Sequence, residues 1–93
     1  MAIFILQLAF KPERNERRLE IRPKHRDYLR SLREQSKLVT AGPWGDDSGA
    51  LLVYQVADEA ELRSILEADP YTPEDVYDIV QIKEWKPLFP LAI

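Results

Sequence analysis

Apolar residues alternate along several short segments of the chain and recur at helical spacing along two longer ones. In the segment 2–10 both alternating sets are largely apolar, which predicts a central strand covered on both faces. Further strands are predicted over 38–41, 50–56 and 77–85, bounded mostly by Gly, Pro or Asp. The order strand, helix, strand, strand, helix, strand predicts a ferredoxin-like α+β fold, with a four-stranded antiparallel sheet and both helices on one face.

The first helix is predicted to begin at Pro23, because proline is well suited to the first turn, and to run to about Gln35. The charged segment 13–21 before it is expected to be irregular or loosely helical. Four residues form the inward stripe of this helix: His25, Tyr28, Leu29 and Leu32. Four arginines are expected in a separate outward row: Arg22, Arg26, Arg30 and Arg33.

The second helix has a clear start and a clear end. Asp58 and Glu61 resemble a capping box, and Pro70 stops the helix. Its inward stripe is Leu62, Ile65, Leu66 and Asp69. The stripe of each helix therefore carries one ionisable side chain, His25 or Asp69, toward the same core.

Length and composition narrow the class of protein. The 93 residues predict one domain over 1–93, small enough that pairing with a second copy across the open face of the sheet would help to stabilise it. With no cysteine and one histidine, we expect neither a metal site nor a cofactor. The apolar opening is too short to span a bilayer and lacks a signal-peptide pattern, so we expect a cytoplasmic protein without a membrane partner.

Charge is unevenly distributed along the chain. Residues 11–33 hold nine of the thirteen Lys and Arg against four acids, although the net charge of the chain is −3. A basic segment can attract nucleic acid, but here the acids are interleaved with the bases and the rest of the chain is acidic. We therefore interpret the segment as a solvated helix face and expect no nucleic-acid partner.

His25 and Asp69 are the candidate catalytic residues. A carboxylate that accepts from one imidazole nitrogen leaves the other free to exchange a proton with a ligand. The alternative is a core histidine bonded to a backbone carbonyl, with Asp69 merely capping the turn at Pro70. Arg22 could hold an anionic group, and the loop aromatics Trp44 and Tyr71 could line a pocket or simply pack.

Three segments resemble the YCII-related (YciI-like) family in order and spacing: Arg22-Pro23-x-His25-x-x-Tyr28-Leu29, Leu38-Val39-x-Ala41-Gly42-Pro43 and Asp69-Pro70-Tyr71. The resemblance extends over essentially the whole chain. It implies a ferredoxin-like domain that dimerises as a dimeric α+β barrel, with a pocket containing a His and Asp pair, here His25 and Asp69. Ser36 departs from the family pattern, which often has Gly after the first helix. The candidate ligand-binding residues are Arg22, Tyr28, Gly42, Pro43, Trp44 and Tyr71.

Three functions remain open at this point. The first is a cofactor-free enzyme in which His25, oriented by Asp69, moves a proton on a cyclic or aromatic acid during isomerisation or elimination. The second is a homodimer that binds a small anionic or aromatic ligand without turnover. The third is a structural dimeric domain with a filled interior.

Overall fold

The computed structural model describes residues 1–91, so the last two residues of the predicted domain lie outside it. The elements in chain order are β1 (Ala2–Phe10), α1 (Asn15–Glu34), β2 (Leu38–Pro43), β3 (Gly49–Val56), α2 (Glu59–Glu67) and β4 (Tyr77–Trp85). Short 3₁₀ turns, Pro12–Arg14 and Thr72–Glu74, precede α1 and β4. The predicted βαββαβ order is confirmed.

The four strands form one antiparallel sheet in the order β2-β3-β1-β4. Alternate residues of the central strand β1, Phe4, Leu6 and Leu8, are buried on the helix side of the sheet. They belong to one core with Leu32 of α1 and with the apolar stripe of α2. Both helices therefore pack on the same face, as expected for a ferredoxin-like domain.

The other face of the sheet is only partly covered within one chain. Ile3 and Ile5 of β1 point away from the helices and remain partly exposed, and Trp85 at the end of β4 is exposed. Within residues 1–91 the expected cover of β1 is thus complete on the helix side and partial on the other face.

The start predicted for α1 is wrong: the helix begins at Asn15, and Pro23 lies inside it. Arg18 and Ile21 are buried at helical spacing ahead of His25, and Ile21 packs against Tyr71 and Val76. This packing outweighs the backbone hydrogen bond that a proline cannot make, because tertiary contacts supply most of the stability of a helix in a protein.

Two turns connect the elements that build the site. Ser36, which follows α1, adopts a left-handed conformation with φ 60°, the backbone geometry that explains why glycine suits this place. At the start of β3, a Cβ on Gly49 would collide with the carbonyl oxygen of Leu8. Only glycine allows this close approach, which holds the turn between β2 and β3 against β1.

Candidate functional site

His25 and Asp69 meet in the core, although 44 residues separate them in the chain. Nδ1 of His25 lies 2.8 Å from Oδ1 of Asp69. His25 comes from the middle of α1 and Asp69 from the turn after α2, and both are buried, with exposed fractions of 8% and 4%. The fold therefore brings the two predicted residues into direct contact.

The turn after α2 fixes the Asp69 carboxylate. Oδ1 of Asp69 accepts a hydrogen bond from the backbone N–H of Tyr71 at 2.9 Å, in addition to its contact with His25. The backbone carbonyl of Asp69 accepts from the N–H of Thr72 at 3.0 Å. The Asp69 side chain therefore both caps this turn and pairs with His25, although the two roles were expected as alternatives.

Tyr71 holds the other side of the imidazole. Its ring stacks on His25 with 3.8 Å between ring centroids and 9° between planes. Burial raises the pKa of the Tyr71 hydroxyl, and the positive charge of Arg18 opposes that shift without cancelling it. The hydroxyl is therefore neutral at physiological pH and can donate a hydrogen bond.

The geometry defines what the imidazole can do. A carboxylate can only accept, so in the neutral ring Nδ1 carries the proton and Nε2 holds a lone pair. With the ring orientation set by Asp69 and Tyr71, Nε2 is the atom available to exchange a proton with a molecule beside it.

A cavity of about 250 Å³ lies against His25, between α1 and the helix side of β1, β2 and β3. Its walls are largely apolar, from residues such as Leu8, Phe10 and Leu52. The volume is close to the lower end of the range for small-molecule sites, roughly 300–1,000 Å³. It suits a compound with a single ring.

Four of the six predicted ligand-binding residues line this cavity: Arg22, Gly42, Pro43 and Tyr71. Tyr28 is placed elsewhere, and its hydroxyl donates to the carbonyl oxygen of Ile65 at 2.7 Å. Trp44 is exposed at the turn after β2 and lies outside the lining.

Sequence reasoning missed three charged residues of the cavity wall, namely Arg18, Arg26 and Asp47. Arg18 fell in the segment expected to be irregular, yet it precedes His25 by seven residues and so shares its face of α1. The outward row expected for the arginines is wrong for Arg22, which is half-buried against the cavity, whereas Arg26 is exposed as expected and also lines the cavity.

Positive charge dominates the cavity wall. Arg18, Arg22 and Arg26 contribute three permanent positive charges, whereas Asp47 is the one carboxylate of the described lining. Such a wall attracts anionic molecules, and the apolar surroundings strengthen that attraction.

Residues 1–91 lack two further kinds of feature, a cluster of metal-binding side chains and a membrane-spanning helix. Across them, His, Asp and Glu side chains do not gather in threes in a way that could hold a metal ion. Nor does any helix within this range have the length and apolar character needed to cross a bilayer.

The comparisons with known proteins agree with this fold. Residues 2–86 match the YCII-related domain, and the chain is 31% identical to Protein YciI of Escherichia coli O6:H1 over 94% of its own length and 99% of that protein. The Protein YciI of Shigella flexneri matches equally well. The chain therefore belongs to the YCII-related family, and the predicted resemblance is confirmed.

A solved structure with the same fold is similar to this chain. It is 5-chloro-2-hydroxyhydroquinone dehydrochlorinase (TftG) from Burkholderia phenoliruptrix, in complex with 2,5-dihydroxybenzoquinone. The TM-score is 0.78 with 24% sequence identity, over 90% of this chain and 93% of that one. At this identity the likeness shows a common architecture.

Proposed function

We propose that this protein is a cofactor-free enzyme that moves a proton on a small cyclic or aromatic acid, in an isomerisation or elimination. The observation that carries the proposal is the 2.8 Å contact between His25 and Asp69 at the wall of a cavity. His25 would act as the general base or acid through Nε2, and Asp69 would hold the ring in the reactive tautomer. Arg22 would help to position the anionic group of the substrate.

The cavity supports this function over a purely structural one. A structural domain needs no opening beside a buried, oriented imidazole, and its interior would be filled with apolar side chains. The TftG complex adds a chemical precedent on the same fold, since that protein is a dehydrochlorinase with a small quinone bound. A site that binds such a ligand without turnover remains the second candidate, favoured by the apolar walls of the cavity.

The proposed function can be tested by measuring whether the protein catalyses the exchange of substrate protons for deuterium. Wild type would be incubated in deuterated water with a panel of single-ring acids, and with 5-chloro-2-hydroxyhydroquinone to detect chloride release. We expect turnover in wild type, a loss of about 10²–10⁴-fold in His25→Gln, as is typical for general acid–base groups, and a smaller loss in Asp69→Asn. Tyr28→Phe, outside the cavity, serves as the control with unchanged rate.

Turnover that survives intact in His25→Gln would contradict the acid–base role. Binding of panel compounds without deuterium incorporation or chloride release in wild type would instead establish the ligand-binding alternative.

We further propose that two copies pair through the open face of the sheet. Ile5 lies near the middle of that face, opposite Val53 of β3 and Lys83 of β4, and its burial would remove apolar surface from water. Sedimentation of the intact protein should give a dimer that Ile5→Glu dissociates. Leu19→Glu, at an exposed position of α1, is the matched control, and a monomeric wild type would refute the pairing.

A further inference from the structure

Arg18 is more deeply buried than any other charged residue that the structure describes. It lies in the first turns of α1 with 2% of its surface exposed, and it forms part of the cavity wall. Its guanidinium carbon lies 4.1 Å from the centroid of the Phe10 ring, which covers one face of the group. Burying a charge this completely is costly unless the charge is well paired.

The pairing of Arg18 is incomplete. Nη2 donates to Oδ1 of Asn15 at 2.6 Å and to Oδ2 of Asp47 at 2.8 Å. Nε, by contrast, is buried and has no hydrogen-bond partner among residues 1–91. Nε and Nη2 lie on the same edge of the guanidinium, the edge that a carboxylate can bind with two parallel hydrogen bonds. Within the described residues this two-point binding edge is thus only half used.

Asp47 is poorly placed to be a permanent partner. Its side chain is 52% exposed, and it lies in the turn between β2 and β3 with a left-handed backbone, φ 59°. Water can solvate this carboxylate once it leaves Arg18, so the main cost of release is the unpaired guanidinium, and a second anion that takes the place of Asp47 removes that cost. Arg18 itself cannot turn to water without leaving the core.

We propose that Arg18 binds the acidic group of the substrate and that Asp47 neutralises its charge while the cavity is empty. This inference rests on the proposed function, because it places the substrate in the same cavity. It adds that Arg18 selects substrates that carry an anionic group. An incoming carboxylate, or an ionised ring hydroxyl beside a carbonyl, displaces Asp47 and occupies both Nη2 and Nε.

The position of Arg18 on α1 suits such a substrate. Seven residues separate Arg18 from His25, or about 10 Å along the helix axis at 1.5 Å per residue. A single-ring acid covers that distance once its hydrogen bonds to the two side chains are included. The acidic group would then bind at Arg18 while a carbon atom on the far side of the ring lies near Nε2 of His25.

The experiment compares benzoate with benzamide, which has the same shape without the charge, and adds 2,5-dihydroxybenzoquinone as a second anion. Dissociation constants would be measured by NMR, with the Nε–H resonance of Arg18 as a direct reporter of a new hydrogen bond. For wild type we expect benzoate to bind at least tenfold more tightly than benzamide, and the Nε–H signal to move downfield. Wild type that binds neither anion at millimolar concentration would overturn the proposal.

The variants separate a binding role from a structural one. Arg18→Gln should lose the preference for benzoate, whereas Arg30→Gln, which breaks an exposed ion pair with Asp27, should keep it. Asp47→Asn removes the competing carboxylate and should strengthen benzoate binding several-fold. Because Asp47 is half exposed, this variant tests the proposal even if Arg18→Gln fails to fold.

Weaker benzoate binding in Asp47→Asn would identify the pair as a structural bridge and overturn the inference, as would full anion preference in Arg18→Gln. The His25→Gln variant keeps the two proposals apart. Anion binding that depends on Arg18, in a protein without turnover, would defeat the acid–base function alone. Turnover with anion binding independent of Arg18 would defeat this inference alone.

Discussion

Two of the polar pairs that join α1 to other parts of the fold look alike by distance. His25 contacts Asp69 at 2.8 Å, and Arg18 contacts Asp47 at 2.8 Å, both from the same face of the helix. The two pairs differ in the surroundings of the carboxylate. Asp69 is buried and held by a backbone N–H, whereas the carboxylate of Asp47 is half exposed on a turn and, among residues 1–91, is hydrogen-bonded to Arg18 alone.

Equal distances therefore do not imply equal roles. A fixed carboxylate orients its partner, because moving it would leave two buried donors without an acceptor. A half-exposed carboxylate can be exchanged for another anion at low cost, because water solvates the carboxylate that leaves and the new anion pairs with the guanidinium. The same face of one helix thus carries a permanently oriented imidazole and a guanidinium whose partner can be exchanged.

The largest effect on stability is expected from Asp69→Ala. This change leaves Nδ1 of His25 and the N–H of Tyr71 unpaired in the core, and each buried donor without an acceptor costs about 1–3 kcal/mol. We expect the free energy of unfolding to fall by about 3 kcal/mol, measured by urea denaturation. The ¹⁵N shifts of His25 should also report loss of the pure Nδ1–H tautomer.

Asp47→Ala should have a much smaller effect on stability. The lost carboxylate is half exposed, and Nη2 of Arg18 keeps its hydrogen bond to Asn15, so we expect a loss of about 1 kcal/mol in the same urea experiment. A loss as large as that of Asp69→Ala would contradict the difference between the two acids, because Asp47 would then contribute as much to stability as Asp69.

The smallest expected effect is on the pH dependence of stability, and it involves Tyr71. The Tyr71 ring stacks on His25, and the positive charge of Arg18 lowers the pKa of its hydroxyl. Burial raises the pKa of all four tyrosines of the chain above the ordinary value of 10.0. The unfolded chain therefore loses these protons first, so stability should decline as pH rises above about 10. Alkaline absorbance should show tyrosine ionisation displaced upward and accompanied by unfolding.

The influence of Arg18 on this titration provides a finer test. Arg18→Gln removes the positive charge that lowers the pKa of Tyr71, so Tyr71 should ionise at still higher pH. Arg30→Gln should leave the absorbance titration unchanged. Identical titrations for wild type and Arg18→Gln would show that Arg18 has no electrostatic contact with the Tyr71 hydroxyl.

Much of this site could be predicted from local signals. The spacing of His25 and Asp69 on their helices predicted that both face the core, and the structure brings them together. Pro23, however, is a strong local signal for the start of a helix, and it was misleading because the burial of Ile21 against Tyr71 and Val76 extends α1 toward the N-terminus. With the first turns of α1 misassigned, the inward position of Arg18 went unrecognised.

The sequence by itself determined the order of the elements, the inward positions of His25 and Asp69 and the excess of positive charge in the segment 11–33. These follow from periodicity, capping and composition, which act over a few residues. Only the tertiary structure decided that Asp47 reaches Arg18 from 29 residues away and that a cavity opens beside His25. Those features depend on how the turn between β2 and β3 packs against α1, and local residue patterns do not encode such distances.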